Sequence, residues 1–348
     1  MKRIFTIAIV FVLSIIAGID KSFGQNSEAG FEELIQGGVG DANTYLKNYM
    51  NPFAASLGNG LANGWYNTAK PHKTLGFDLT VNMNFAIIPD AASQFDFNAD
   101  TYNNLRLANP GGNSMLPTFT GGTTDTRLEI FGEREIDGET YTFEQEIVAP
   151  DGFGLSDLPG PLAVPTPTIQ LGVGIVKNTD LIIRYTPEVN VDGLSFRSFG
   201  FGVKHDFKQW IPGMKLLPFD LSGLVGYNKI STTYQIDEAA GQFAEFNASA
   251  TTIQAIISKK LLFFTPYAGL GVNIVNSNFA MRGDYIFNEG TAEEVIVNDP
   301  IDFAFDGSGG PRFTVGARLK ILWVLALNVD YTIQKYNTLS VGLGLNIR

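Results

Sequence analysis

The sequence predicts an all-β protein: an antiparallel transmembrane β-barrel of about ten strands, roughly ten to fourteen at the outside, preceded by a short N-terminal helical segment. Three observations predict it. The chain opens like an exported protein. Beyond that opening it has no apolar run of the ~20 residues that a membrane helix needs. Much of the rest alternates apolar and polar residues with a period of two, the signature of a strand with two unlike faces.

The opening is an address. Lys2 and Arg3 precede the apolar run Ile4 to Ile19, and the small residues Ser22 and Gly24 mark a cleavage site before Gln25. Residues 1–24 are therefore expected to be a signal peptide. An exported chain without a membrane helix is soluble or a barrel, and strand length separates these. Leu339, Val341, Leu343, Leu345 and Ile347 alternate with Ser340, Gly342, Gly344, Asn346 and Arg348. The stretches beginning at Leu75, Ile169, Leu181, Phe199, Phe219, Ile253, Phe264, Phe313 and Trp323 repeat this pattern. They run to about ten residues, as a tilted membrane strand requires, against ~5–6 in small soluble sheets. One face is aliphatic and aromatic. The other is rich in Gly, Ser, Thr, Asn and charge, and Gly alone is 38 of 348 residues. Only closure satisfies every strand edge in lipid.

The connections suggest a topology. Short links at 177–180, 207–218, 259–262 and 320–322 carry Lys177, Lys208, Lys215, Lys259, Lys260 and Lys320. Long, acidic links are expected at 89–166, 229–249 and 276–311. Outer-membrane barrels have short periplasmic turns and long external loops, so a first strand running outward from a periplasmic N-terminus makes each long link external. Within the first, Leu128–Ile136 and Thr140–Val148 flank Asp137-Gly138, a hairpin turn signal. The barrel is expected to occupy 74–348.

Residues 25–73 form a separate, plug-like unit. Phe31, Leu34, Tyr45 and Tyr49 recur at helical spacing. Asn51-Pro52 reads as a cap followed by proline at a first helical position, and Gly58, Gly60 and Gly64 read as breaks. Glycines at inward positions such as 172, 174, 200 and 202 leave room inside the wall. Phe31, Leu34, Tyr45, Tyr49, Asn51 and Pro52 are thus candidate plug residues, expected in or across the periplasmic mouth. Asn51-Pro52-Phe53-Ala54, followed by amphipathic strands, resembles the long-chain fatty-acid transporter family of outer-membrane proteins. That resemblance implies an N-terminal hatch in the lumen and passage of hydrophobic substrates. The stretch Trp65 to Lys70 is also similar to poorly characterised exported barrels of Gram-negative cells, a resemblance that implies no activity.

Chemistry is sparse. With no Cys there is no disulfide, thiolate metal site or cysteine nucleophile. A net charge of −11 argues against nucleic acid as a partner. The two histidines, His72 and His205, fall near the short-link ends of strands, and no serine-nucleophile elbow, metal-ligand run or phosphate loop occurs. No catalytic residue, cofactor or metal is expected, and the protein is not expected to be an enzyme. Asp78, Arg184, Glu188, Asp220, Arg312, Arg318 and Asp330 are candidate lumen-lining charges that either pair across the barrel or line a pore. The expected role is an outer-membrane barrel, either a passive channel for hydrophobic or small amphipathic compounds or a non-conducting, surface-binding barrel acting through its acidic loops. Outer-membrane lipid, lipopolysaccharide and a hydrophobic small molecule are the partners that fit.

Overall fold

The computed structural model describes residues 33–35, 37–136, 139–152, 161–191, 193–287, 295–321 and 324–347. The signal peptide, Phe31, the Asp137-Gly138 turn and Trp323 lie outside them.

Ten antiparallel strands close on themselves. They are β1 (Phe77–Ile87), β2 (Ala163–Ile175), β3 (Thr179–Val191), β4 (Leu194–Asp206), β5 (Asp220–Asp237), β6 (Gln242–Ser258), β7 (Phe264–Arg282), β8 (Gly310–Ile321), β9 (Leu325–Ile333) and β10 (Thr338–Ile347). Each pairs with its neighbours in the chain, and β1 seals the barrel against β10, with Phe77 opposite Ile347 and Phe85 opposite Leu339. Closure leaves no open edge in the wall.

The two faces separate as the period of two requires. In β1, Leu79 and Val81 are exposed, while Thr80, Asn82 and Asn84 are buried. In β10, Leu343 and Leu345 are exposed, whereas Ser340, Gly342 and Asn346 are buried. Buried polar residues under exposed aliphatic ones are the reverse of a soluble core, and suit a wall with lipid outside. Leu343→Arg places a cation in that lipid face and should destabilise the barrel by ~2–4 kcal/mol near the midplane. Refolding titrations into vesicles would measure this; a loss under ~1 kcal/mol would contradict the face assignment.

Among the described residues, one end of the barrel carries the short links 176–178, 207–219 and 259–263. The other is built up. β5, β6 and β7, of 18, 17 and 19 residues, run well past the length of their neighbours. The stretch 229–249, expected as a loop, is therefore paired strand except for a turn at 238–241. Its pairing continues past the ends of the neighbouring strands, and period alone cannot distinguish a wall strand from the hairpin that extends it. The link 334–337 at this end is also tight. In the first long link, Arg127–Ile136 pairs with Glu139–Val148 and with Leu105–Leu107 as a separate sheet, so the predicted hairpin forms outside the wall. The last long link folds a small hairpin, Asp284–Phe287 with Val295–Asn298, and returns Ile301–Ala304 to pair with β7.

The long helix of the N-terminal segment is α1 (Val39–Leu61), about 35 Å long at 1.5 Å per residue. Pro52 lies inside it rather than at a start. Tertiary contact overrides the local signal: Pro52 lacks the amide that would bond Asn48, and the long-loop amide of Phe119 donates to the adjacent Tyr49 carbonyl at 2.8 Å. Gly58 and Gly60 are also helical. A Cβ on Gly58 would stand 2.2 Å from Val275 Cγ1, and one on Gly60 2.3 Å from Thr166 Oγ1. These glycines permit close packing against the wall; they do not end the helix.

Candidate functional site

The lumen is occupied. The first half of α1 lies among the long loops, where Leu34, Ala42, Tyr45, Leu46 and Tyr49 share a core with Phe97, Leu116, Leu128, Ile130 and Ile301. Tyr49 donates from its hydroxyl to the Asp151 carbonyl at 2.6 Å, and burial pushes both the Tyr45 and Tyr49 hydroxyls above their ordinary range. Asp41, in the first turn, accepts the Asn103 amide at 3.0 Å and the Asn104 amide at 2.6 Å. This ties the helix start to the loops with a favourably placed negative charge. Leu34, Tyr45 and Tyr49 thus bury their apolar surface at the long-loop end, contrary to the expectation of a periplasmic-mouth plug. The loops supply the apolar partners for these residues. Asn51 is half-buried and Pro52 buried.

The second half of α1 enters the barrel. Ala54, Leu57 and Leu61 pack on Ile88, Val164, Ala248, Ala250 and Val275. The helix then ends inside, leaving carbonyls that need donors. The inward arginines supply them. Arg184, 1% exposed, donates to the Leu61 carbonyl at 3.0 Å and the Asn63 carbonyl at 2.7 Å. Its Nε reaches Gln170 at 3.1 Å, and its guanidinium stacks 3.6 Å from the Trp65 ring. Arg312 donates to the Ala62 carbonyl at 2.8 Å and to the Asn63 side chain. Thr252 also caps Ala62, at 3.1 Å. Cations at a helix C-terminus are favoured by its dipole as well as by these bonds.

Residues 62–76 continue as a strap down the lumen. Trp65 sits in a notch made by two glycines that face each other across β4 and β5, Gly202 and Gly226. A Cβ at Gly226 would lie 2.7 Å from the indole, and one at Gly202 3.0 Å. Tyr66 fills the place a side chain at Gly269 would need. Gln170 donates to the Trp65 carbonyl at 3.2 Å, Asn82 to Gly64 at 3.2 Å, and Arg318 to the Asn67 side chain at 3.1 Å. Lower down, the Ala69 amide donates to Ser258 Oγ at 2.9 Å. At the short-link end His72 is held between carboxylates: its Nδ1 is 3.1 Å from Asp180 and its Nε2 3.4 Å from Asp78. Asp180 is also paired with Lys204 at 3.0 Å. The space left beside Arg312, Gln254, Thr314 and Asp330 is about 10 Å³, room for roughly one water.

Five of the seven candidate lumen charges, Asp78, Arg184, Arg312, Arg318 and Asp330, are buried inside the barrel. Asp330 accepts the Tyr267 hydroxyl at 2.8 Å. Asp220 is half-buried at the start of β5. Glu188 is a correction: it is exposed and accepts Ser195 Oγ at 3.1 Å. A bulge between Thr186 and Val189 inserts a residue, so Val189 rather than Glu188 pairs with Phe196. One added residue reverses every later side chain. Trp65, Gln170, Asp180, Lys204 and Ser258 were not anticipated as site residues. Alternation places Gln170, Lys204 and Ser258 on the inward face, and the inward glycines mark the room that Trp65 fills.

No curated protein matches the chain. Among solved structures it is similar to the translocator domain of the autotransporter NalP from Neisseria meningitidis, at 10% identity over 89% of this chain and 98% of that one, with a TM-score of 0.29. It is similar to Ail, the attachment invasion locus protein of Yersinia pestis, at 7% identity over 78% and 97%, with a TM-score of 0.27. A mutant of the Rh. blastica porin follows at 8% identity over 78% and 100%, with a TM-score of 0.15. By its match over residues 1–347, the chain belongs to the family described as Family of unknown function (DUF6588).

Proposed function

We propose that this protein is an outer-membrane barrel held shut by its own N-terminal segment, and that it acts through the folded acidic assembly at its long-loop end. The observation that carries the reading is the strap from Ala62 to His72. It is bonded to inward side chains of β1, β2, β3, β4, β6 and β8. The arginines that a pore would present to a permeant are spent on the carbonyls of this segment. The long-loop end then faces outward. There, Glu129, Glu144 and Glu146 share one sheet with Arg106 and Arg127, carboxylates that would meet the anionic groups of lipopolysaccharide through shared divalent cations. A passive channel for hydrophobic or small amphipathic compounds needs the strap to leave. We assign no enzymatic role.

The test uses the absence of native cysteine. Thr68 Oγ1 and Ser258 Oγ are 3.1 Å apart, so Thr68→Cys with Ser258→Cys should form a tether between strap and wall. The oxidised double variant and the native protein should both show no steady conductance in planar bilayers. Steady conductance through the oxidised tether would defeat the closed-barrel reading. Conductance that oxidation abolishes and reduction restores would favour the channel.

A further inference from the structure

We infer that the N-terminal segment crosses the barrel from the long-loop end to the short-link end, so that residues 37–50 lie at the outer end of the barrel with Val39 and Gly40 exposed there; the word outer rests on the orientation proposed above. Five successive levels carry the inference. At the long-loop end, the Asn43 side chain accepts the Asp302 amide at 3.0 Å and donates to the Pro300 carbonyl at 3.3 Å. Next, Gly60 lies against Thr166, which pairs with Asn84 near the top of β1. Trp65 lies at the Gly202–Gly226 pair in mid-barrel. Thr68 and Ala69 then meet Ser258, the last residue of β6. Finally His72 reaches Asp78 and Asp180, and the Leu75 amide donates to the Gly174 carbonyl at 2.9 Å just before β1 starts. The descent is monotonic, so the expectation of a periplasmic N-terminal unit is replaced by one that begins on the opposite side from the first strand.

Single cysteines in this cysteine-free chain test the crossing directly. Gly40→Cys is exposed on α1 with open space at its Cβ, and Gly122→Cys is exposed among the long loops with the same freedom. Lys260→Cys is exposed at the short-link end. A membrane-impermeant maleimide on intact cells should label Gly40→Cys and Gly122→Cys to similar extents. Lys260→Cys should react only after the outer membrane is permeabilised. Heat-modifiable migration confirms that each variant is folded. Protection of Gly40→Cys in intact cells where Gly122→Cys reacts would overturn the crossing. Reaction of Lys260→Cys alone would overturn outer display by reversing the orientation, while leaving the crossing itself standing.

Discussion

Deleting residues 39–70 is expected to convert a non-conducting barrel into a conducting one. The deletion removes α1 and most of the strap, while the ten wall strands and every wall hydrogen bond remain. Arg184, Arg312 and Arg318 then face water in place of carbonyls and Asn67. Barrel closure depends on the wall ladder rather than on the segment, so the deleted protein should still show a heat-modifiable band. Planar-bilayer recordings should show steady open-channel current where the full-length protein shows none, and cells should become more permeable to small hydrophilic solutes. A folded, heat-modifiable deletion variant without conductance would show that something other than this segment closes the barrel. If the deletion does not fold, the Thr68–Ser258 tether answers the same question in the intact chain.

The second large effect is expected at Trp65. Its side chain is 1% exposed, lies on the Arg184 guanidinium and fills the notch between Gly202 and Gly226. Trp65→Ala leaves a cavity with two glycines on its floor, which have no side chains to collapse into it. A loss of ~3–5 kcal/mol is therefore expected, read as a shift in the denaturant midpoint of detergent-folded protein. Gly226→Val should be similarly damaging from the other side, because its Cβ would meet the indole at 2.7 Å. In the double variant Trp65→Ala with Gly226→Val, the two losses should be less than additive, since the valine enters space the alanine vacated. A change under ~1 kcal/mol for Trp65→Ala would mean that the strap is not a packed part of the fold.

The sequence by itself determined the wall. Alternation of Leu343 with Gly342 and Gly344, or of Leu79 with Asp78 and Thr80, assigns each residue a face, because a strand offers only two. A count of about ten strands, the antiparallel order and the pairing of 128–136 with 140–148 followed from that periodicity and from turn chemistry; that this pair stays outside the wall, so that the count is ten and not about twelve, was settled by the fold. The glycines at inward positions also announced that something large lies inside. Tertiary structure decided the rest. Whether Pro52 starts a helix or sits within one depended on packing, since α1 is buried against the long loops on one side of Pro52 and against the wall on the other. Whether Arg184 and Arg312 line a pore or cap a helix depended on where α1 ends. Whether Tyr45 and Tyr49 bury at one mouth or the other depended on which end offers apolar partners. Each is a contact between segments distant in the chain, and local periodicity records which face a residue takes but not what comes to meet it there.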